Sequence, residues 1–146
     1  MMVLDCSAAV HIARRTELGE SFSWLMGLDP ECAVAPELFL AEIGSAFWKY
    51  ARAGACKANE MRTYIRQASA LVDELVPMEE LYVEAASEAL RLNHSVYDML
   101  YFVLARRNGA TLVTADKGLN SLCEREGVAC FHEFHRRDDG EWEFRG

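Results

Sequence analysis

No stretch of about 18 uncharged apolar residues occurs in the 146-residue chain, so there is no candidate for a membrane-spanning helix. The first apolar run, within MMVLDCSAAVHIARR, is interrupted by Asp5, a charge that the core of a secretion signal would exclude. The expectation is a soluble, cytoplasmic protein with no membrane partner. Cysteine is present without a pattern. Cys6, Cys32, Cys56, Cys123 and Cys130 are odd in number, have no CxxC spacing and mostly sit in apolar segments, which fits reduced core thiols rather than a disulfide or zinc framework. Positive charge is also scarce: 15 Lys and Arg face 23 Asp and Glu, a net charge of -8. That balance disfavours broad attraction to a nucleic-acid backbone through a basic surface. It does not exclude a nuclease, because divalent cations held on carboxylates offer phosphate a positive centre in an acidic chain. Repeats, low-complexity tracts and linkers are missing too. Residues 1–132 therefore read as one domain, followed by a charged tail or hairpin over 133–146 with its turn at Asp139-Gly140.

What the chain does have is 51% hydrophobic residues, enough for one core at this length. Short apolar stretches predict strands at Met2 to Leu4, Ala33 to Ala35, Glu74 to Met78, Thr111 to Thr114 and Val128 to Phe131. Between them, helical spacing predicts a helix over SAAVHIARR and a piece from Phe22 to Leu28 stopped by Asp29-Pro30. Further helices are expected from Pro36 to Gly54, from Asn59 to Asp73, from Glu79 to Asn93, from Ser95 to Gly109 and from Lys117 to Glu126. Alternating elements, with strands apolar enough to be buried on both faces, predict a three-layer α/β domain around a mainly parallel sheet of about 4–5 strands.

Four carboxylates stand out against this pattern. Asp5 and Asp116 each follow a strand, where open parallel sheets gather ligands, yet an Asp between a strand and a helix is also a good N-cap. Asp98 opens the almost wholly apolar helix DMLYFVLA, and Ser95-x-x-Asp98 is also a capping-box pattern. Glu42 has Leu38, Phe39, Ser45 and Ala46 as its helical neighbours, so it lies on a mainly apolar or small-residue face, or else reaches water past Ser45 and Ala46. Four acids at one sheet edge would repel each other and raise their own pKa values unless a cation neutralised them. Oxygen ligands of this kind suit Mg2+ or Mn2+.

The segments VLDCSA, APELFLAEIGSAF and SVYDMLYFVLARRNGATLVTADKGL together resemble a PIN domain, in particular the small single-domain proteins of the VapC toxin type. The similarity runs in order over residues 2 to 131. It implies an acidic quartet of Asp5, Glu42, Asp98 and Asp116, with Ser7 and Thr114 as polar supports, meeting at one edge of a PIN-like sheet. It further implies a metal-dependent endoribonuclease that cleaves single-stranded RNA, or structured RNA with an exposed loop, using Mg2+ or Mn2+ to activate water. A homodimer and a cognate antitoxin protein are the partners implied.

The residues add some detail of their own. Lys49 and Arg52 continue the Glu42 helix and Lys117 follows Asp116, which makes them candidate RNA phosphate contacts, although solvated helix ends look the same. The helix from Glu37 to Ala53 is apolar on more than one face, through full burial or through a second chain. Trp48, Tyr97, Tyr101 and Phe102 read mainly as core rather than as a base-stacking stripe. His132-x-x-His135 lacks the further ligands of a transition-metal site. The alternatives are a noncatalytic PIN-like module that binds a basic peptide in its acidic pocket, a housekeeping RNA-processing nuclease, and a receiver-type phosphotransfer domain. The last fits poorly, because the middle strand is followed by Glu79 and Glu80 instead of a phosphoacceptor Asp.

Overall fold

The strands of the sheet are short and mostly apolar, and the central ones, MVL and TLV, run into a residue that opens a helix or a turn. In the computed structural model, which describes residues 1–28, 32–131, 134–140 and 142–144, these strands form five parallel ribbons. In chain order the elements are β1 (Met2–Leu4), α1 (Cys6–Arg14), α2 (Glu17–Leu28), β2 (Ala33–Pro36), α3 (Leu38–Arg52), α4 (Ala58–Ser69) and β3 (Glu74–Val76). A 3-10 turn at Met78–Glu80 leads into α5 (Tyr82–Leu92), α6 (Val96–Asn108), β4 (Thr111–Val113), α7 (Lys117–Glu126) and β5 (Cys130–Phe131). The sheet order is β3-β2-β1-β4-β5, with Val3 opposite both Val34 of β2 and Leu112 of β4. Helices flank the sheet in the three-layer α/β arrangement that the alternating pattern predicts.

Strand order decides where a site can form. From β1 the chain steps outward to β2 and β3, then returns to lay β4 on the other side of β1. The connections therefore part at the carboxyl ends of β1 and β4 and leave a crevice there, the switch point at which open α/β sheets bind ligands. Asp5 and Thr114 are the residues that directly follow those two strands.

Helix α6 supplies the floor of that crevice. Ser95 Oγ caps it by accepting from the amides of Tyr97 and Asp98, and Gly109 ends it at φ 57°, a left-handed turn that glycine adopts without Cβ strain. All seven residues from Met99 to Ala105 are buried, because α6 packs against β1, β2 and β4 as well as against α5. Opposing walls come from α1 and α3, with α4 packed against both. Phe39, Ile43 and Phe47 of α3 are fully buried, and the Phe47 ring stacks on Tyr64 of α4 at 5.2 Å, each such side chain contributing about 1.5–3 kcal/mol by its burial.

Several boundaries differ from the sequence reading, each for a local reason. Helix α2 starts at Glu17, five residues ahead of the expected Phe22, because Thr16 Oγ1 accepts from the Gly19 amide and starts the helix through a polar turn. There Gly19 is obligatory: a Cβ would lie 2.0 Å from the His11 carbonyl oxygen of α1. Pro36 closes β2 instead of opening α3. β1 pairs only with Ala33 and Val34, so no ladder bond toward β1 is lost at the proline. Helix α4 ends at Ser69, and Asp73 is drawn to the sheet, where its Oδ2 accepts from the Ala33 amide at 2.8 Å. The expected stop at Asp29-Pro30 lies outside the described residues. Beyond the sheet, β6 (Phe134–Arg136) and β7 (Trp142–Phe144) pair antiparallel, with Gly140 at φ 88° in the connection.

Candidate active site

Asp5 is placed by the simplest of local rules. β1 ends, α1 begins, and the aspartate between them accepts from the Ala8 amide with Oδ1 at 3.0 Å, an ordinary N-cap. Its surroundings are less ordinary. Ser7 Oγ donates to Oδ1 at 2.7 Å and Thr114 Oγ1 donates to Oδ2. Ser7 Oγ accepts from the Ala115 amide and Thr114 Oγ1 from the Asp116 amide, both at 3.0 Å. The two hydroxyls therefore tie the end of β1 to the end of β4. Asp116 caps α7 in turn, its Oδ1 accepting from Gly118 and Leu119 at 2.8 and 3.1 Å. For both aspartates the capping role is real and coexists with a place at the crevice.

Asp98 and Glu42 come in from the helices. The expected capping box forms only by half: Ser95 caps α6, while the Asp98 carboxylate is 2.9 Å from His94 Nε2. Glu42, half-buried on α3 beside the buried Phe39 and Ile43, accepts from the Tyr101 hydroxyl of α6 at 2.6 Å. A cleft of about 640 Å3 is lined by Asp5, Glu42, Asp98 and Asp116 together, with Ser7, Tyr101 and Lys49 also in its wall. Four elements far apart in sequence thus bring four carboxylates to one cavity.

The electrostatics record that crowding. Burial pushes the Asp5 carboxyl up to about 6, against the hydrogen bonds from Thr114, Ala8 and Ser7, and the Asp98 charge adds to the rise. Burial also raises Glu42 and Asp98, with Asp98 bearing on Glu42 and Asp116 on Asp98. Cys6, in the same cleft, is pushed up to about 12 by burial and by Glu42 and Asp5, so it is a neutral thiol, inert as a nucleophile.

The PIN domain family profile matches residues 2–125. The chain belongs to the PIN domain family. Its members are generally nucleases that use divalent metals. The fold is similar to the crystal structure of PAE2754 from Pyrobaculum aerophilum, at 22% identity and a TM-score of 0.64, over 88% of this chain and 87% of that one. No match was found among curated protein sequences.

The donors in the cleft of this PIN domain fit a hard cation by their chemistry. All four are carboxylates, the ligand type of Mg2+ and Mn2+, and no thiolate is available to select a softer metal. Glu42 and Asp98 each meet a protein donor through a single oxygen, and Asp116 uses only Oδ1 in its cap. The second oxygen of each keeps its lone pairs for another ligand. Among the described residues, no three His, Cys, Asp or Glu side chains already stand at metal-coordinating positions.

The other residues singled out in the sequence scatter. Lys49 lines the cleft, whereas Arg52 lies over the Trp48 ring at 5.1 Å, and neither it nor Lys117 reaches the cleft wall. Of the aromatic stripe read as core, Tyr101 and Phe102 are buried, but Trp48 and Tyr97 are 50% and 62% exposed. His132 is outside the described residues. All five cysteines are free thiols. No helix among the described residues is long and apolar enough to cross a membrane. Two site residues escaped the sequence reading. Tyr101 was legible only as a tyrosine in an otherwise apolar run, whose hydroxyl needs a partner when buried, and His94 only by its four-residue spacing from Asp98.

Proposed function

We propose that this PIN domain is a metal-dependent endoribonuclease that cleaves single-stranded RNA, or an exposed loop of a structured RNA, and acts as the toxin of a VapBC-type pair. The observation that carries the reading is the convergence of Asp5, Glu42, Asp98 and Asp116 on one cleft at the switch point of the sheet. Such a cluster is costly in isolation, since burial and like charge both work against ionisation, and a divalent cation removes the cost.

In this reading Asp5 and Asp98 hold the cation, and Glu42 and Asp116 hold it directly or through water. Mg2+ or Mn2+, when bound, supplies a water of lowered pKa and neutralises charge on the phosphodiester. Ser7 and Thr114 keep Asp5 in one orientation by occupying both its oxygens, and Tyr101 and His94 do so for one oxygen each of Glu42 and Asp98. Carboxylates fixed in this way need no reorganisation as charge develops on the phosphate. Lys49, on the cleft wall, holds a neighbouring phosphate. The toxin role is supported by the resemblance of the three motif segments. A homodimer and an antitoxin contact are supported by Leu40 and Trp48, two turns apart on α3 and 47% and 50% exposed.

Calorimetric titration of the metal-free protein with Mn2+ and Mg2+, with Asp98→Asn alongside, tests the site without knowledge of the RNA. Binding by the native chain and its loss in the variant is the expected result. An absence of binding at millimolar metal with both proteins folded refutes the reading and leaves the noncatalytic module. Growth arrest on induced expression, relieved by Asp98→Asn, separates the toxin from a housekeeping nuclease.

A further inference from the structure

The cleft does not stop at the acids. Helix α1 carries Ser7 beneath the carboxylates, then Val10 and His11 in the cleft wall opposite Lys49 and Tyr50 of α3. At its far end a second groove of about 340 Å3 opens against α4 and is lined by Arg14, Arg15, Asn59, Thr63 and Gln67, with Glu60 as its one acid. The two grooves meet at Arg14 and Tyr50. The Arg14 guanidinium lies over the Tyr50 ring at 4.4 Å, with Nη1 donating to the phenol oxygen at 3.0 Å. Arg14 lies eight residues after Cys6 on α1, about 12 Å along the axis.

The elements that form the two grooves are also locally basic, although of their bases only Lys49, Arg14 and Arg15 line a groove. From Ile43 to Val72 the chain has five basic residues, Lys49, Arg52, Lys57, Arg62 and Arg66, against the single acid Glu60, and α1 adds Arg14 and Arg15 with no acid after Asp5. In a chain with 23 acids and 15 bases, that is a marked local reversal. The lining also narrows the class of ligand. Guanidinium forks, amides and a hydroxyl suit phosphate and ribose oxygens, whereas the apolar face of a partner helix would meet only Ala13 and the Tyr64 ring there. An arginine already stacked on a ring gives up little freedom on meeting a phosphate.

We propose that the groove between α1 and α4 is a second binding site, which holds the sugar–phosphate backbone of the single-stranded RNA whose scissile phosphate lies at the carboxylates, the Arg14–Tyr50 stack marking where the strand crosses between grooves. This rests on the nuclease reading and adds to it a direction for the substrate. Contacts of this kind are indifferent to sequence, so recognition of particular bases belongs to the first groove.

The test is fluorescence anisotropy of a labelled 12-nucleotide oligouridine with the full chain in EDTA, where no cleavage occurs, from about 25 to 200 mM NaCl. The proteins are the native chain, the double variant Arg14→Gln and Arg15→Gln, and Arg125→Gln on α7 as a control for charge alone. The expected result is binding by the native chain and the control, about tenfold weaker binding by the double variant, and a slope of log K against log salt shallower by about 1.4 for two lost phosphate contacts. No binding by the native chain, equal binding by the double variant, or equal losses in the control each overturn the proposal. Preference for polyglutamate of matching charge overturns it in favour of an acidic protein partner. Mn2+ calorimetry on the same proteins keeps the two readings apart. Metal binding unchanged in the double variant is expected, and metal binding absent from every protein refutes the nuclease reading, whatever the oligonucleotide does.

Discussion

Replacing Asp5 with Asn should make the metal-free protein more stable while removing its metal site. The Asp5 carboxyl is buried and raised from its ordinary 3.8 to about 6. A folded-state value above the unfolded one means that the neutral form is favoured by the fold. Stability from this group is therefore fully present below about pH 4 and is lost as pH rises through about 6. At neutral pH the ionised carboxylate costs up to roughly 3 kcal/mol, at about 1.36 kcal/mol for each tenfold change in proton affinity. Asn is nearly isosteric and its oxygen can still accept from Ala8 and Ser7, so most of that cost disappears with the charge. For a domain of this size the gain corresponds to at most about 10 °C in Tm. Melting curves in EDTA from pH 4 to 8 should show native and variant nearly together at the acid end and the variant higher above about pH 6.5. Saturating Mn2+ should then raise the native chain alone, because a ligand that binds only the folded state stabilises it by mass action. A variant less stable than the native chain at pH 7.5 in EDTA, or a difference that does not change with pH, would show that charge burial at Asp5 is not the governing cost.

Two further substitutions test how the site is positioned. Tyr101→Phe keeps a buried ring but removes the donor to Glu42; the loss should be about 1–2 kcal/mol in urea unfolding, with weaker Mn2+ binding by calorimetry, and full metal affinity would show that Glu42 needs no anchor. Gly19→Ala would force a methyl onto the His11 carbonyl, 2.0 Å from the ideal Cβ position, and should destabilise the fold by about 3 kcal/mol as α2 is pushed off α1; a loss below about 1 kcal/mol would mean that these helices separate freely.

The parts of the fold that the sequence displays are those with one-dimensional causes. β1, β4 and the apolar run of α6 are visible because burial on every side demands uninterrupted apolar residues, and Met99 to Ala105 have them. The start of α2 is hidden because Glu17, Gly19 and Glu20 have no apolar period, and the helix is nucleated by a Thr16 cap and a close backbone approach to α1. Exposure of Trp48 and Tyr97 is hidden for a related reason: spacing along a helix says which residues share a face, not whether a neighbour covers it. The carboxylates are visible one at a time, each with an adequate explanation as a cap or a surface residue. Their convergence depends on sheet order, and sheet order depends on pairings between strands as distant as β1 and β4. The capping box at Ser95 and Asp98 shows the limit of local patterns, since its sequence is intact and its second half is diverted to His94.

Arg106 and Arg107 make the same point about charge. A helix C-terminus accounts for them by the dipole alone, yet Arg106 also bridges Glu84 and Glu88 of α5, and Arg107 reaches Glu84. Glu88 and Glu126 in turn hold Arg91. On that side of the molecule acids and bases neutralise each other in pairs, at little gain in stability for exposed groups. The side formed by the ends of α1 and α3 and by α4 has bases and almost no acid, and the crevice has acids with few bases. A net charge of -8 averages these three regions and describes none of them. Whether an acidic protein can hold a polyanion is decided by segregation on a scale set by the Debye length, about 8 Å at physiological salt. The separation between the carboxylates and the Arg14 end of α1 exceeds that length, so each groove presents its own sign to a strand lying across both.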